Sequence, residues 1–431
     1  MGILVAVFGA ALARQISARG PRVWVAFAIG AVAFVASGVL SPAAAGEALD
    51  AGVPVLVFLA SLFALAGALE RSGALAHLAR WMLHRTVRTE SLSASVFLLF
   101  GIASAFVVND ALILIAVPIL LDLSRRIRVD PKPLLLTAAF AVTVGSALTP
   151  MGNPQNLLVS LSSGIRAPVV TFLAYLLVPI AASLAAGAWI VRRAYAAPLR
   201  AGAAVHAELR RTAVPLVPPG PWPARLFRAP VLVIFPAAML ALIGIGLAST
   251  VAHTPEIPVW VPPTVAAVLV VALTPDRPSI VRSIDLRILA LFAGLFVVVA
   301  GAIASGVIGA IESILPIPGP AAPAALSLPA ITVSSLVGSQ LFSNVPWVGL
   351  QIPLLAQLGY SGATPLPWLA LAAGSTLAGN VTLLGAASNL ILVDRAEEGG
   401  VRIRLGEFAR IALPIAAVSV LLTVGALGLG V

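Results

Sequence analysis

The sequence predicts an all-α polytopic membrane protein made of two related halves in opposite orientation. It should have about 11 transmembrane helices, two re-entrant helical hairpins and two broken helices. Composition, an internal repeat and the placement of charge predict this. Sixty per cent of the 431 residues are apolar and 10% are charged, where an ordinary soluble domain carries roughly 25% charge. Asn109, Pro118, Thr149, Gly152, Asn156 and Pro179 recur as Asn344, Pro353, Thr382, Gly385, Asn389 and Pro414. Every pair is offset by 233 or 235 positions.

Charge fixes the order of the elements, because arginine-rich loops stay on the cytoplasmic side. Residues 2–13 are apolar but short for a crossing, and Arg14, Arg19 and Arg22 follow them. A cleavable signal carries its basic flank first, so none is expected. Residues 23–40 go out to the acidic stretch holding Glu47 and Asp50, and 53–69 return to Arg71, Arg80, Arg85 and Arg88. Glu70 beside Arg71 reads as an interfacial pair. Residues 74–88 carry an amphipathic face of Leu75, Leu78 and Met82, suited to the membrane surface.

Residues 91–121 are apolar apart from Asn109 and Asp110, and both flanks are basic. The segment should therefore enter, turn near Asn109-Asp110 and leave on the same face. Residues 133–163 cross outward, interrupted by Thr149-Pro150-Met151-Gly152-Asn153-Pro154, since two prolines and a glycine in six residues break a helix. Residues 168–191 return. A Pro- and Arg-rich cytoplasmic linker, 192–229, separates the repeat in 1–191 from that in 230–431.

The second half mirrors this. Residues 313–328 and 356–367 lack Arg and Lys, so both lie outside. The apolar segment 329–355 between them, holding Asn344, is the second hairpin, from the opposite face. Residues 368–393 form the second broken helix, interrupted around Gly379-Asn380 and Thr382 to Gly385. Both termini are expected outside, in a multi-pass plasma-membrane protein whose immediate partner is the bilayer.

A chain without cysteine has no disulfide, thiolate metal site or thiol chemistry. His77, His84, His206 and His253 fall outside the spans, so no metal site and no cofactor is expected. The net charge of +10 holds loops inside and does not point to nucleic acid. No nucleophile–base pair sits in a span, which argues against an enzyme.

Broken backbone at membrane depth is tolerable only where it is buried or lines a water-filled cavity, so the breaks mark the site. Of the 16 acidic residues, only Asp110 sits mid-segment. A carboxylate there must be paired, hydrated or protonated, which suits a proton- or cation-coupling group. It also stands where it can cap the second hairpin arm. Asn109, with Ser343 and Asn344, occupies the hairpin tips and offers donors and acceptors without charge. Thr149, Asn153, Gln155 and Asn156 at the first break, with Asn380, Thr382, Ser388 and Asn389 at the second, are the further binding candidates. Pro150, Gly152, Pro154, Gly379 and Gly385 are backbone positions. Trp347 reads as packing beside the second tip.

On these residues the chain resembles the ion transporter superfamily. The nearest branch holds arsenite permeases, NhaD-type sodium–proton antiporters and pink-eyed-dilution-like proteins, related to citrate and dicarboxylate–sodium transporters. The words that match are Val108-Asn109-Asp110 with Pro118, Thr149 through Asn156, and Gly379-Asn380 with Thr382, Gly385 and Asn389. The resemblance implies a secondary transporter of a small inorganic solute or oxyacid, arsenite above all. It also implies dimerisation and an elevator-like motion of the hairpin-bearing part. Proton coupling is the expectation, with a sodium–proton antiporter and a carboxylate or sulfate carrier as alternatives. The dicarboxylate branch carries Ser-Asn-Thr at both tips. This chain has Val108-Asn109-Asp110 and Ser343-Asn344-Val345, which departs from that branch's pair of sodium sites. An anion would also meet no Arg or Lys in any core segment. A single cysteine placed in 313–328 should react with an impermeant thiol reagent only from outside; labelling from the cytoplasm alone would overturn the inverted arrangement.

Overall fold

The computed structural model describes residues 2–17, 22–211, 229–252, 254 and 257–430. Residues 212–228 of the expected 192–229 linker, and His253, lie outside the described residues. The first half comprises α1 (Gly2–Ser17), α2 (Val23–Ala36), α3 (Pro42–Ser72), α4 (Ala74–Arg85), α5 (Leu92–Ser104), α6 (Asn109–Ile127), α7 (Lys132–Ser146), α8 (Pro154–Ser162) and α9 (Pro168–Arg200). After α10 (Ala203–Arg211) come α11 (Val231–Val251), α12 (Val261–Leu273), α13 (Arg277–Arg282), α14 (Leu286–Ala304) and α15 (Val307–Ile314). They are followed by α16 (Ala324–Phe342), α17 (Asn344–Gln357), α18 (Pro365–Leu377), α19 (Ala387–Glu398) and α20 (Leu405–Leu429). Six of the described helices are long and apolar enough to cross a membrane: α3, α9, α11, α14, α16 and α20. The shorter apolar segments include both non-terminal pieces expected from the hairpin and break of the first half, α5 and α7.

Every element from α1 to α9 has a counterpart in the second half, with α13 the one addition. The packing follows the same rule. α2 lies on α14 while its counterpart α12 lies on α3, and α9 lies on its own counterpart α20. The hairpins are α5–α6 and α16–α17. The second arm of each packs on the far half of the other half's broken helix, α6 on α19 and α17 on α8. Exchanging partners in this way joins the two halves at one shared centre. The prolines of the repeat serve this shape: Pro118 and Pro353 lie inside the second hairpin arms, Pro179 and Pro414 inside α9 and α20.

The helices start and stop where local chemistry requires. α3 begins at Ser41, whose hydroxyl accepts the Ala44 N–H at 3.1 Å, and ends at Gly73 with φ of 67°. α7 stops at Ser146, and the chain turns back on itself so tightly that a Cβ on Gly152 would lie 2.2 Å from the Ser146 carbonyl oxygen. Where hairpin arm α5 crosses α7, a Cβ on Gly145 would lie 1.8 Å from the Gly101 oxygen. Those two contacts press the first break against the first hairpin.

α9 runs to Arg200, through residues expected in the linker. Its end and α10 are fastened to the base of the first hairpin. Arg200 pairs with Glu90 at 2.8 Å. His206 is buried, with Nε2 2.9 Å from the Leu83 carbonyl and Nδ1 2.9 Å from the Thr89 hydroxyl. A carbonyl only accepts, so Nε2 carries a proton. This histidine is a structural clasp. At the α4 surface helix Leu75 and Met82 are buried and Leu78 is exposed, so the expected apolar face is split between the protein and the membrane.

The tip of the second hairpin is strained. Ser343 has φ 69° and ψ 156°, a region open essentially to glycine alone and costing of order 1–3 kcal/mol. Phe342 and Trp347 stack across it at 5.5 Å, and Phe8 of α1 meets Phe342 edge-on at 4.9 Å. Ser343→Gly should therefore raise the thermal midpoint in detergent or nanodiscs, by about 1 kcal/mol of stability after glycine's entropic cost. Ser343→Val should lower it. Equal midpoints for the three proteins would refute the strain.

Candidate functional site

The two hairpin tips are tied to the breaks by different chemistry. At the first, the Asn109 N–H donates to the Gly152 carbonyl at 2.9 Å, and the Thr149 hydroxyl donates to the Ala105 carbonyl. At the second, the Thr382 hydroxyl donates to Gln340 Oε1 at 2.7 Å, and Gln340 Nε2 donates to the Ala378 carbonyl at 2.7 Å. Gln340 thus supplies from a side chain what Ala105 supplies from backbone. Gly385 sits in the same fold-back as Gly152, its Cβ position 2.6 Å from the Ala378 oxygen.

The first break is a closed network. Asn153 caps α8, its Oδ1 accepting the Asn156 N–H at 2.8 Å, while its Nδ2 donates to Thr376 Oγ1 at 3.0 Å. Asn156 Nδ2 donates to the Ser146 and Thr149 carbonyls at 3.0 and 3.1 Å, and its Oδ1 accepts from the Thr376 hydroxyl at 2.9 Å. Gln155 Nε2 stands 3.5 Å from the same hydroxyl oxygen. Thr376 belongs to α18 of the other half, so the two broken helices meet at this hydroxyl.

The second break is open. Asn389 Nδ2 donates to the Gly379 and Thr382 carbonyls at 2.6 and 3.3 Å, and Asn380 Nδ2 donates to the Phe140 carbonyl at 3.2 Å. Carbonyl partners identify the bonded atoms as nitrogen. The atoms left over are oxygens, Asn380 Oδ1 and Asn389 Oδ1, both buried without a partner, as are Ser388 Oγ and Asn344 Oδ1. Thr143 is the 233-position counterpart of Thr376. It returns its hydroxyl to the Ala139 carbonyl of its own helix at 3.1 Å, so Asn389 Oδ1 receives nothing. Buried polar atoms left this way cost roughly 1–3 kcal/mol each, and the second break holds three of them, Asn380 Oδ1, Ser388 Oγ and Asn389 Oδ1.

Asp110 completes the asymmetry. Ala386 stands where Asn153 stands in the first half, and α19 has no side-chain cap. The Asp110 carboxylate, on a residue 6% exposed, faces the Ser388 backbone N–H at that helix start. It does not cap its own arm: α6 begins at Asn109, whose Oδ1 accepts the Asp110 N–H at 2.8 Å. A helix N-terminus carries partial positive charge, so one half's carboxylate stands in the field of the other half's uncapped helix.

Asp110 also lines a cavity of about 180 Å³ between the hairpin and the flanking helices. Its other walls include Gly67 and Glu70 of α3, Leu114 of α6, Ser283, Asp285 and Ile391. Glu70 is not the expected partner of Arg71. Arg71 pairs instead with Asp276 at 3.1 Å, because α3 packs against α13 there, and Glu70 turns to the cavity. Among the described residues no three groups could hold a metal ion.

Residues 15–378 match the model of the citrate transporter family. The chain belongs to that family. This citrate transporter family member is 27% identical to an uncharacterised transporter of Mycobacterium tuberculosis, over 97% of this chain and 96% of the relative. It is 27% identical to the silicon efflux transporter LSI3 of Oryza sativa subsp. japonica, over 85% of this chain and 84% of the relative. Its fold is similar to that of the YdaH transporter of Alcanivorax borkumensis, with a TM-score of 0.55 at 15% identity, covering 89% and 86% of the two chains. The protein is accordingly a secondary membrane transporter and not an enzyme.

The crossed packing brings the helix that starts at Asn109-Asp110 onto the one that holds Ser388 and Asn389, and the helix that starts at Asn344 onto the one that holds Gln155 and Asn156; Thr149 and Thr382 bond within their own halves. Sequence reasoning did not single out Thr376, Gln340 or Asp285. Thr376 was within reach, since it repeats Thr143 at the same offset as Thr149 and Thr382. Trp347 packs as expected, in a slot where a Cβ on Gly338 would lie 2.0 Å from its ring, although its Nε1 has no partner. Thr376→Val should strand Asn156 Oδ1, while Asn153 Nδ2 keeps the Ser146 carbonyl at 3.1 Å, and lower stability by about 1–3 kcal/mol, read by thermal unfolding. Thr143→Val should cost well under half as much, and equal losses would refute the unequal networks.

Proposed function

We propose that this transporter exchanges a small neutral oxyacid, of the arsenite type, for protons by alternating access. The observation that carries this is the set of unpartnered acceptors at the second break. A neutral As(OH)3 or Si(OH)4 presents hydroxyl donors, which are what Asn380 Oδ1 and Asn389 Oδ1 lack. A carboxylate or sulfate presents acceptors and would leave those oxygens unpaired. The silicon efflux relative carries a solute of the favoured kind. Asp110 supplies the coupling. Protonated, it leaves the α19 terminus to its own backbone N–H groups; deprotonated, it occupies them. Solute and proton then take turns at one centre.

The acceptor oxygens with Asp110 also suit a monovalent cation, and the acidic cavity favours its approach, so a sodium–proton antiporter is the second reading. Both readings go with a homodimer in the plasma membrane, a cytoplasmic central linker, termini outside, and movement of the hairpins and breaks against the flanking helices.

Reconstituted vesicles with a pH gradient decide between these readings. Arsenite, antimonite and silicic acid should move against the gradient, whereas citrate, sulfate and dicarboxylates should not. Sodium exchange without solute flux would select the second reading. Asp110→Asn should fold and lose gradient-driven flux, and undiminished coupling in that variant would exclude Asp110 as the coupling group.

A further inference from the structure

We propose that Glu70 and Asp285 form a charge filter at the mouth of the Asp110 cavity, drawing protons and other cations inward and turning anions away. The cavity of about 180 Å³ has three carboxylates in its wall and no basic side chain. Glu70 and Asp285 are exposed, while Asp110 is buried, so the acids run from surface to depth. Asp285 is held in place by capping α14, its Oδ1 accepting the Arg287 N–H at 2.9 Å and the Ile288 N–H at 3.4 Å. Nearby arginines do not cancel the field. Arg71 is bound to Asp276, and Arg282 and Arg287 are exposed and stand outside the cavity wall.

A second feature lies at the deep end of this path. Ser388, whose N–H faces the Asp110 carboxylate, has a buried hydroxyl without a partner. It lies one turn before Ile391, which lines the cavity, so both project from one face of α19. Carboxylates around a low-dielectric cleft raise the local cation concentration and the rate of cation arrival by about 10–10³-fold. The arrangement opens Asp110 toward the end of the molecule that carries Arg71, Arg282 and Arg287, which the charge rule assigns to the cytoplasm.

The filter gives Asp110 its role in the proposed function, but its test needs no transport. The chain has no cysteine, so Leu114→Cys places a single thiol on the cavity wall. A cationic methanethiosulfonate should react with it roughly tenfold faster than an anionic one of similar size. Glu70→Gln with Asp285→Asn should bring the ratio of rates close to one. Asn caps helices as well as Asp does, so the double variant keeps the α14 start. Any change in thiol ionisation affects both reagents and cancels in the ratio. Equal rates in the parent, a ratio unchanged by the double substitution, or no labelling at all would overturn the filter. A transporter with a different solute would leave the labelling result intact.

Discussion

The start of α19 lacks the side-chain cap that Asn153 gives to α8, and Asp110 stands before it. One helix N-terminus in an apolar surrounding needs an acceptor; one carboxylate at that depth needs donors. Each solves the other's problem only because hairpin and broken helix come from opposite halves and cross. Two departures from the repeat, Val345 against Asp110 and Ala386 against Asn153, are therefore a matched pair.

The rest of the molecule holds that contact in register. Gly145 lets α5 and α7 touch through backbone, and Gly152 and Gly385 let the chain double back on helix ends. Thr376 joins the broken helices of the two halves and satisfies the first break. The first break is closed and the second is left with free acceptors, so the two halves differ in how fully their polar groups are satisfied.

Much of the fold was legible in the sequence. Charge placement pointed to the two hairpins and dense runs of Pro, Gly and Asn to the two breaks, since arginine has a strong preference for one side of a membrane and single prolines such as Pro118 and Pro179 sit inside helices without ending them. The boundaries were less exact: α9 runs to Arg200, because exposed arginines do not end a helix, and α3 spans residues 42–72 where 53–69 was expected. Within the site, Asp110 and the asparagines could be named from their isolation in apolar segments. What they bond to could not be. Arg71 was assigned to its neighbour Glu70, yet it reaches Asp276, 205 positions away. Asp110 faces the start of α19 and α6 has no side-chain cap, and the inequality of the breaks depends on where a single threonine hydroxyl turns. These are choices between partners a few ångströms apart, and spacing in a sequence does not resolve them.

The central claim is that solute and proton compete for one centre built from Asp110 and the second break. Titration calorimetry of arsenite or silicic acid, repeated in buffers of different ionisation enthalpy, measures it directly. Binding should release about one proton per solute in the wild-type protein and none in Asp110→Asn, as linkage requires of a shared site. Proton release that is the same in both proteins would contradict the account.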